Sequence, residues 1–296
     1  MTNDTNAHRN DDELLSGLPR REFVAMSVAA GVAAGSGSAA ELPLVEADVE
    51  IKTPDGTCDA AFIHPATGSH PGVLVWPDAL GLRQSMRDIG KRIAADGYSV
   101  LVPNPFYRSS KAPVPSGPFS FQNQADMAKL QQLMATLNVP GAAEKDAIAF
   151  IAFLDAQKEV NKTKKIGTQG YCMGGPLVVR TAAAVPNRVG AGASFHGGGL
   201  VTANANSPHL LAPKIKARMY FGVAASDDAR QPDAKDKLKE AFAAANVTAE
   251  IEVYPGTIHG WCVPDMPLQN GAPIYSKPDA ERAWGKLVAL YKAALA

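Results

Sequence analysis

The sequence predicts an α/β fold, a mostly parallel central sheet flanked by helices. Three observations carry this. Strand-like and helix-like segments alternate from Gly72 to the C-terminus with no linker-like break. Gly72–Trp76 and Tyr98–Val102 are continuous apolar runs, the pattern of strands covered on both faces. A third strand-like stretch from Lys165 runs through Gly-Tyr-Cys-Met-Gly at 170–174 into an apolar, helix-compatible segment, which marks a sharp strand-to-helix turn.

Composition supports one large domain. The chain has 296 residues, 46% of them apolar, enough for a proper core. Lys and Arg number 29, as do Asp and Glu, which argues against a general nucleic-acid or polyanion binder. Three cysteines (Cys58, Cys172, Cys262) form neither a disulfide framework nor a metal-ligand pattern, so no metal or cofactor is expected. No apolar run is long enough to span a bilayer as a mature helix. Residues 1–40 read as a leader rather than as fold. A polar, acidic start gives way to Arg20-Arg21 with Phe23, a modest apolar stretch from Val24 to Gly35, and small residues before Glu41. The arginine pair resembles a twin-arginine export signal, so residues 41–296 are expected as a single domain outside the cytoplasmic membrane, in the periplasm. The competing reading is an Ala/Gly-rich tail with a chance arginine pair, in which case the protein stays in the cytoplasm.

Taken in order, Val45–Thr53 alternates, with Val45, Ala47, Val49 and Ile51 on one face. Pro54-Asp55-Gly56 turns it, and Cys58–His64 returns as a second strand. After the Gly72–Trp76 strand comes a loop, Pro77–Leu82. A helix over Ser85–Asp96, with Met86, Ile89, Ile93 and Ala94 on its apolar face, stops at Gly97. Tyr98–Val102 completes a strand–helix–strand unit, and 108–120 is Ser- and Pro-rich loop. Ala125–Leu137 and Ala142–Lys158 read as helices, the second placing Ala147, Ile148, Phe150, Ile151, Phe153 and Leu154 on or near one face. Strands follow at Val189–Phe195, Ala217–Val223 and Ala249–Tyr254, with helices at Lys235–Ala245 and Asp279–Leu295.

Reactive side chains fall just after the predicted strands: Asp78, Cys172, Asp227 or Asp228, and His259. In open α/β sheets that is where sites form. The order nucleophile, acid, histidine is the chain order of α/β-hydrolases, with cysteine where G-x-S-x-G has serine. A histidine can take the thiol proton and return it to the leaving group, and a carboxylate can fix the imidazole's tautomer. Taken alone, Cys172 reads equally well as a buried structural cysteine in a tight turn, and His259 as a surface or satisfied core histidine. Trp261 and Phe106 are expected to line a pocket. His196, at the end of a strand, reads as structural, and Cys58 and Cys262 as packing residues.

The chain resembles the dienelactone hydrolases. The match lies in Gly-Tyr-Cys-Met-Gly-Gly at 170–175, Tyr-Pro-Gly-Thr-Ile-His-Gly-Trp at 254–261, Ser-Phe-His-Gly-Gly at 194–198, and the segments at 77–82 and 103–108. The resemblance covers about Val45 to the C-terminus and implies an α/β-hydrolase fold with a Cys-Asp-His triad. Cys172 is then the nucleophile and His259 the base. The acid is Asp227 or Asp228, the spacing from Gly222 favouring Asp227. The backbone N–H groups of Met173 and Ala79 form the oxyanion hole. Asp78 falls where the family often has a glutamate near the resting cysteine, and Arg108 where it has an arginine for the substrate carboxylate. A second such arginine after the histidine is not matched, so the resemblance does not carry dienelactone itself as substrate.

The expected activity is therefore cysteine-dependent hydrolysis of small esters or lactones. A general carboxylesterase or thioesterase-like enzyme keeps the same fold. A non-catalytic binding protein is the alternative of a different class, and the retained Cys-Asp-His order speaks against it. A redox role lacks a C-x-x-C pair.

Overall fold

The computed structural model of the protein describes residues 42–117, 119–269 and 271–295. The expected leader, residues 1–40, lies outside the described residues. Two strands, β1 (Leu44–Thr53) and β2 (Gly56–Pro65), form an antiparallel hairpin with Thr53 opposite Gly56. Along β1, Val45, Ala47, Val49 and Ile51 are at least partly buried while Glu46, Asp48 and Glu50 face solvent, as a half-covered strand requires. The sheet continues with β3 (Gly72–Trp76), β4 (Ser99–Pro103), β5 (Ile166–Tyr171), β6 (Val189–Phe195), β7 (Arg218–Ala224) and β8 (Ala249–Tyr254). Its eight strands run in the order β1-β2-β4-β3-β5-β6-β7-β8, parallel from β4 onward.

Every residue of β3 and β4 is buried, and each strand serves two cores. From β3, Leu74 and Trp76 join Phe150, Leu177, Leu238 and Phe242 on one face. Val73 and Val75 join Met86, Ile93, Leu287 and Tyr291 on the other. The first layer holds helices α3 (Ala142–Ala156), α4 (Gly174–Ala184) and α6 (Ala234–Ala244); the second holds α1 (Gln84–Ala95) and α7 (Lys277–Leu295). Helix α2 (Gln124–Ala135) starts where the Asn123 side chain accepts hydrogen bonds from the amides of Ala125 (2.8 Å) and Asp126 (3.1 Å). The chain passes from β3 to β4 on one side and later returns to β5 on the other. The crevice beyond the carboxyl ends of β3 and β5 is thus the switch point of the sheet.

The structure departs from the sequence reading in three elements. Ile148 of α3, expected on its apolar face, is 53% exposed, because the helix buries Ala147, Phe150, Ile151 and Leu154 instead. A 3-10 helix over Pro208–Lys214 and the six-residue helix α5 (Ala225–Arg230) were not expected. Both are too short to show a hydrophobic period, and α5 buries no residue.

Candidate active site

Cys172 follows β5 directly and holds a left-handed backbone, φ 52°, rare for a non-glycine residue. The turn is pinned on both sides. Its amide donates to the Phe195 carbonyl (3.0 Å), and its carbonyl accepts from Gly175 (3.0 Å) and Gly198 (3.3 Å). The flanking glycines are required by contact. A Cβ on Gly170 would sit 2.3 Å from the Gly174 carbonyl oxygen, and one on Gly174 would sit 2.4 Å from that of Trp76. The side chain at 172 is thereby presented at the start of α4, half-buried.

His259 stands after β8, beyond a turn closed by the Thr257 hydroxyl on the Tyr254 carbonyl (2.8 Å). Its amide donates to the Ser226 hydroxyl (3.0 Å), and its Nδ1 meets the Asp227 carboxylate at 2.8 Å. Asp227 and Asp228 both lie in the first turn of α5. Adjacent helical residues point about 100° apart, so only one can face the imidazole. Asp228 turns to the Lys235 ammonium instead, at 2.7 Å. Burial alone would lower the pKa of His259, but the bond to Asp227 and the neighbouring Cys172 side chain raise it to about 10. His259, Asp227 and Cys172 are therefore brought together from three separate strand ends.

Met173 and Ala79 flank the same crevice, both mostly buried. Among the described residues neither backbone N–H has a protein acceptor, so both remain able to donate to a bound oxygen. A cavity of about 610 Å³ opens beside Met173, and another of about 430 Å³ has His259 in its wall. Among the described residues no cluster of three or more His, Cys, Asp or Glu could hold a metal.

Asp78, Arg108 and Trp261, expected around the substrate, each have another partner in the fold. Asp78 is 2% exposed, and its carboxylate is taken by Arg83 (2.6 and 2.9 Å) and the Leu80 amide (2.9 Å). Arg108 is held by both oxygens of buried Asp146 (2.8 Å each) and by Asp55 (2.7 Å). A buried carboxylate is costly without a partner, and Arg108 fills that need rather than facing a ligand. Trp261 is fully buried, stacked on Tyr254 with ring centroids 4.2 Å apart, so it supports the site from beneath. Phe106, expected in a pocket wall, is likewise fully buried. His196 is fully enclosed with neither ring nitrogen bonded, its ring 4.9 Å from that of His259. Burial and the neighbouring imidazole push its pKa well down, which keeps it neutral beside His259.

Sequence reasoning missed Arg83 and Asp265. Arg83 grips Asp78 and also Asp265 (2.8 and 2.7 Å), joining the Ala79 loop to the segment after His259. It also missed Ser226, which no motif singles out. Cys262 is half-buried against the second core, and burial pushes its thiol pKa well up, as it does for Cys58.

A strand-end crevice with a cysteine on a sharp elbow, backed by a paired histidine and carboxylate, is the arrangement of an α/β-hydrolase. The comparison with known families agrees: the model described as "Dienelactone hydrolase family" matches residues 58–295. The chain belongs to the dienelactone hydrolase family and is a hydrolase of ester or lactone bonds. It is 27% identical to the "Putative carboxymethylenebutenolidase" of Methylorubrum extorquens, covering 91% of each chain. It is 28% identical to a protein of the same name from Saccharolobus solfataricus, over 79% of this chain and 93% of that one. The crystal structure of a dienelactone hydrolase-like promiscuous phosphotriesterase from metagenomic libraries shares the fold. Its TM-score is 0.71 at 21% identity, over 86% of this chain and 99% of that one.

Proposed function

We propose that the protein hydrolyses small esters or lactones through an acyl-enzyme on Cys172. The observation that supports this best is His259, bonded to Asp227 through Nδ1 at 2.8 Å with the Cys172 side chain beside it raising its pKa. With its pKa raised to about 10, Nε2 of His259 already holds the proton drawn from the Cys172 sulfur when that sulfur attacks the carbonyl carbon. The new C–S bond moves an electron pair onto the carbonyl oxygen, where the amides of Met173 and Ala79 stabilise it. The oxyanion collapses, the bond to the leaving oxygen breaks, and His259 gives its proton to that oxygen. Water then attacks the thioester with His259 as base, and release of the acid restores the paired sulfur and imidazolium. Asp227 holds the imidazole in the tautomer this requires. The names of the two relatives support the lactone and ester class.

In the test, a short acetate ester is turned over by the native chain and not by Cys172→Ala. One equivalent of iodoacetamide labels Cys172 and stops turnover, and a slow ester leaves an acyl mass on the peptide that contains it. Full activity in Cys172→Ala, or an adduct found only on Cys262, would overturn the assignment.

A further inference from the structure

The 430 Å³ cavity with His259 in its wall is built by two loops, one ahead of α2 and one between His259 and α7. Its size lies within the usual range of ligand pockets, about 300–1,000 Å³. Phe121, Met266, Leu268 and Ile274 give it an apolar surface, and the polar residues beside them, Gln122 among them, are uncharged. Among the described lining residues the imidazole alone is ionisable. Phe121 and Leu268 stand 38% and 63% exposed at the mouth, large apolar side chains left uncovered. Met266 and Ile274 pack where a Cβ on Gly260 would fall (2.9 and 3.1 Å), which fixes this wall one residue from His259.

Three arginines among the described residues near these loops are already committed. Arg83 and Arg108 are held as described above. Arg180, in the cavity beside Met173, is bound by Glu144 (2.8 Å) and the Asn206 carbonyl (2.9 Å). The imidazole in the cavity wall is itself paired with Asp227 (2.8 Å), so a substrate carboxylate would enter either cavity without a free positive partner and at a desolvation cost. The place of the cavity also says which half of the ester it receives. His259 must hand its proton to the leaving oxygen, so the leaving group lies on the side of the imidazole.

We propose that this cavity is the subsite for the leaving alcohol of the ester, and that the alcohol is uncharged and apolar. The assignment rests on the hydrolase reading above. The test is kcat/KM of the native chain for acetates of straight-chain alcohols, methyl to hexyl. Burial of each methylene is worth roughly a fourfold gain, so kcat/KM rises severalfold per carbon over the first few carbons. The acetate of 6-hydroxyhexanoate, which ends in a carboxylate, is at least about tenfold poorer than hexyl acetate, since its charge must be desolvated. Leu268→Asp, at an exposed position, lowers the hexyl-to-methyl ratio about tenfold, while Leu268→Met keeps it. Hydrolysis with no dependence on the alcohol, or equal turnover of the carboxylate-ended ester, overturns the subsite and leaves the hydrolase standing. If no ester is turned over, the carbon-13 methyl signal of Met266 decides. A shift with 1-hexanol and none with hexanoate supports the cavity chemistry while the hydrolase reading fails. No shift with 1-hexanol overturns both.

Discussion

Two neighbouring aspartates show how finely a role is set at the scale of one residue. Asp227 and Asp228 are chemically the same, yet one faces the imidazole and the other an ammonium, because one helical step separates their directions. Asp227→Asn should lower kcat by up to about 10⁴, as loss of the orienting carboxylate does in serine triads, and Asp228→Asn should do little. The pH profile gives a second readout. His259 must be protonated to supply the leaving oxygen, and its pKa is raised to about 10. Activity should fall on the alkaline side as pH rises through that value. Without Asp227 the burial that lowers the pKa gains weight, so the alkaline limb should move to lower pH. An unmoved limb in Asp227→Asn, measured as kcat/KM against pH, would show that the contact does not set the proton's affinity. The same sign governs stability. With the folded-state pKa above the unfolded value of 6.5, the contribution is full below pH 6.5 and is lost as pH rises toward about 10.

Between elements, the site depends on what joins the end of β3 to the start of α4 and to the segment after β8. Close contact of Gly174 with the Trp76 carbonyl makes the first join, and Arg83 the second. Arg83→Met leaves Asp78 buried and unpaired. Breaking a buried pair in this way costs roughly 3–5 kcal/mol, which urea unfolding would read as a lower midpoint with an unchanged slope. Asp78→Asn in the same chain should recover part of the loss. A single variant as stable as the native chain would show that the bridge does not hold these loops. These joins also mark where the sequence stopped being legible. The elbow, the strand ends and the chain order of Cys172, Asp227 and His259 are local patterns, readable because glycine spacing and apolar runs act over a few residues. Arg83 and Asp265 lie 182 positions apart, and Arg108 and Asp146 38, so nothing in either neighbourhood announces its partner. Arg108 was accordingly expected to face a substrate, when the buried carboxylate of Asp146 claims it. The cavity over His259 escaped for the same reason, since its walls come from loops that no hydrophobic period describes.

For the whole molecule, the fold explains how one chain assembles a site from distant pieces. The sheet aligns the carboxyl ends of β3, β5, β7 and β8, and each delivers one part of the chemistry to the same edge. Everything this requires lies between Leu44 and Leu295, and the match to the family begins at residue 58. The first 40 residues lie outside the described residues and outside that match. We propose that Arg20-Arg21, the Ala/Gly-rich apolar run and the small residues before Glu41 form an export signal. On that reading the arginine pair is recognised before transport and the leader is then removed. Arg20→Lys with Arg21→Lys should retain the full-length precursor inside the cell with its esterase activity intact, because neither residue belongs to the site. Fractionation followed by N-terminal sequencing checks both steps. The native chain should be recovered outside the cytoplasmic membrane with a new N-terminus near Glu41. An intact Met1 on periplasmic protein would remove cleavage, and equal export of the double-lysine variant would remove the twin-arginine route.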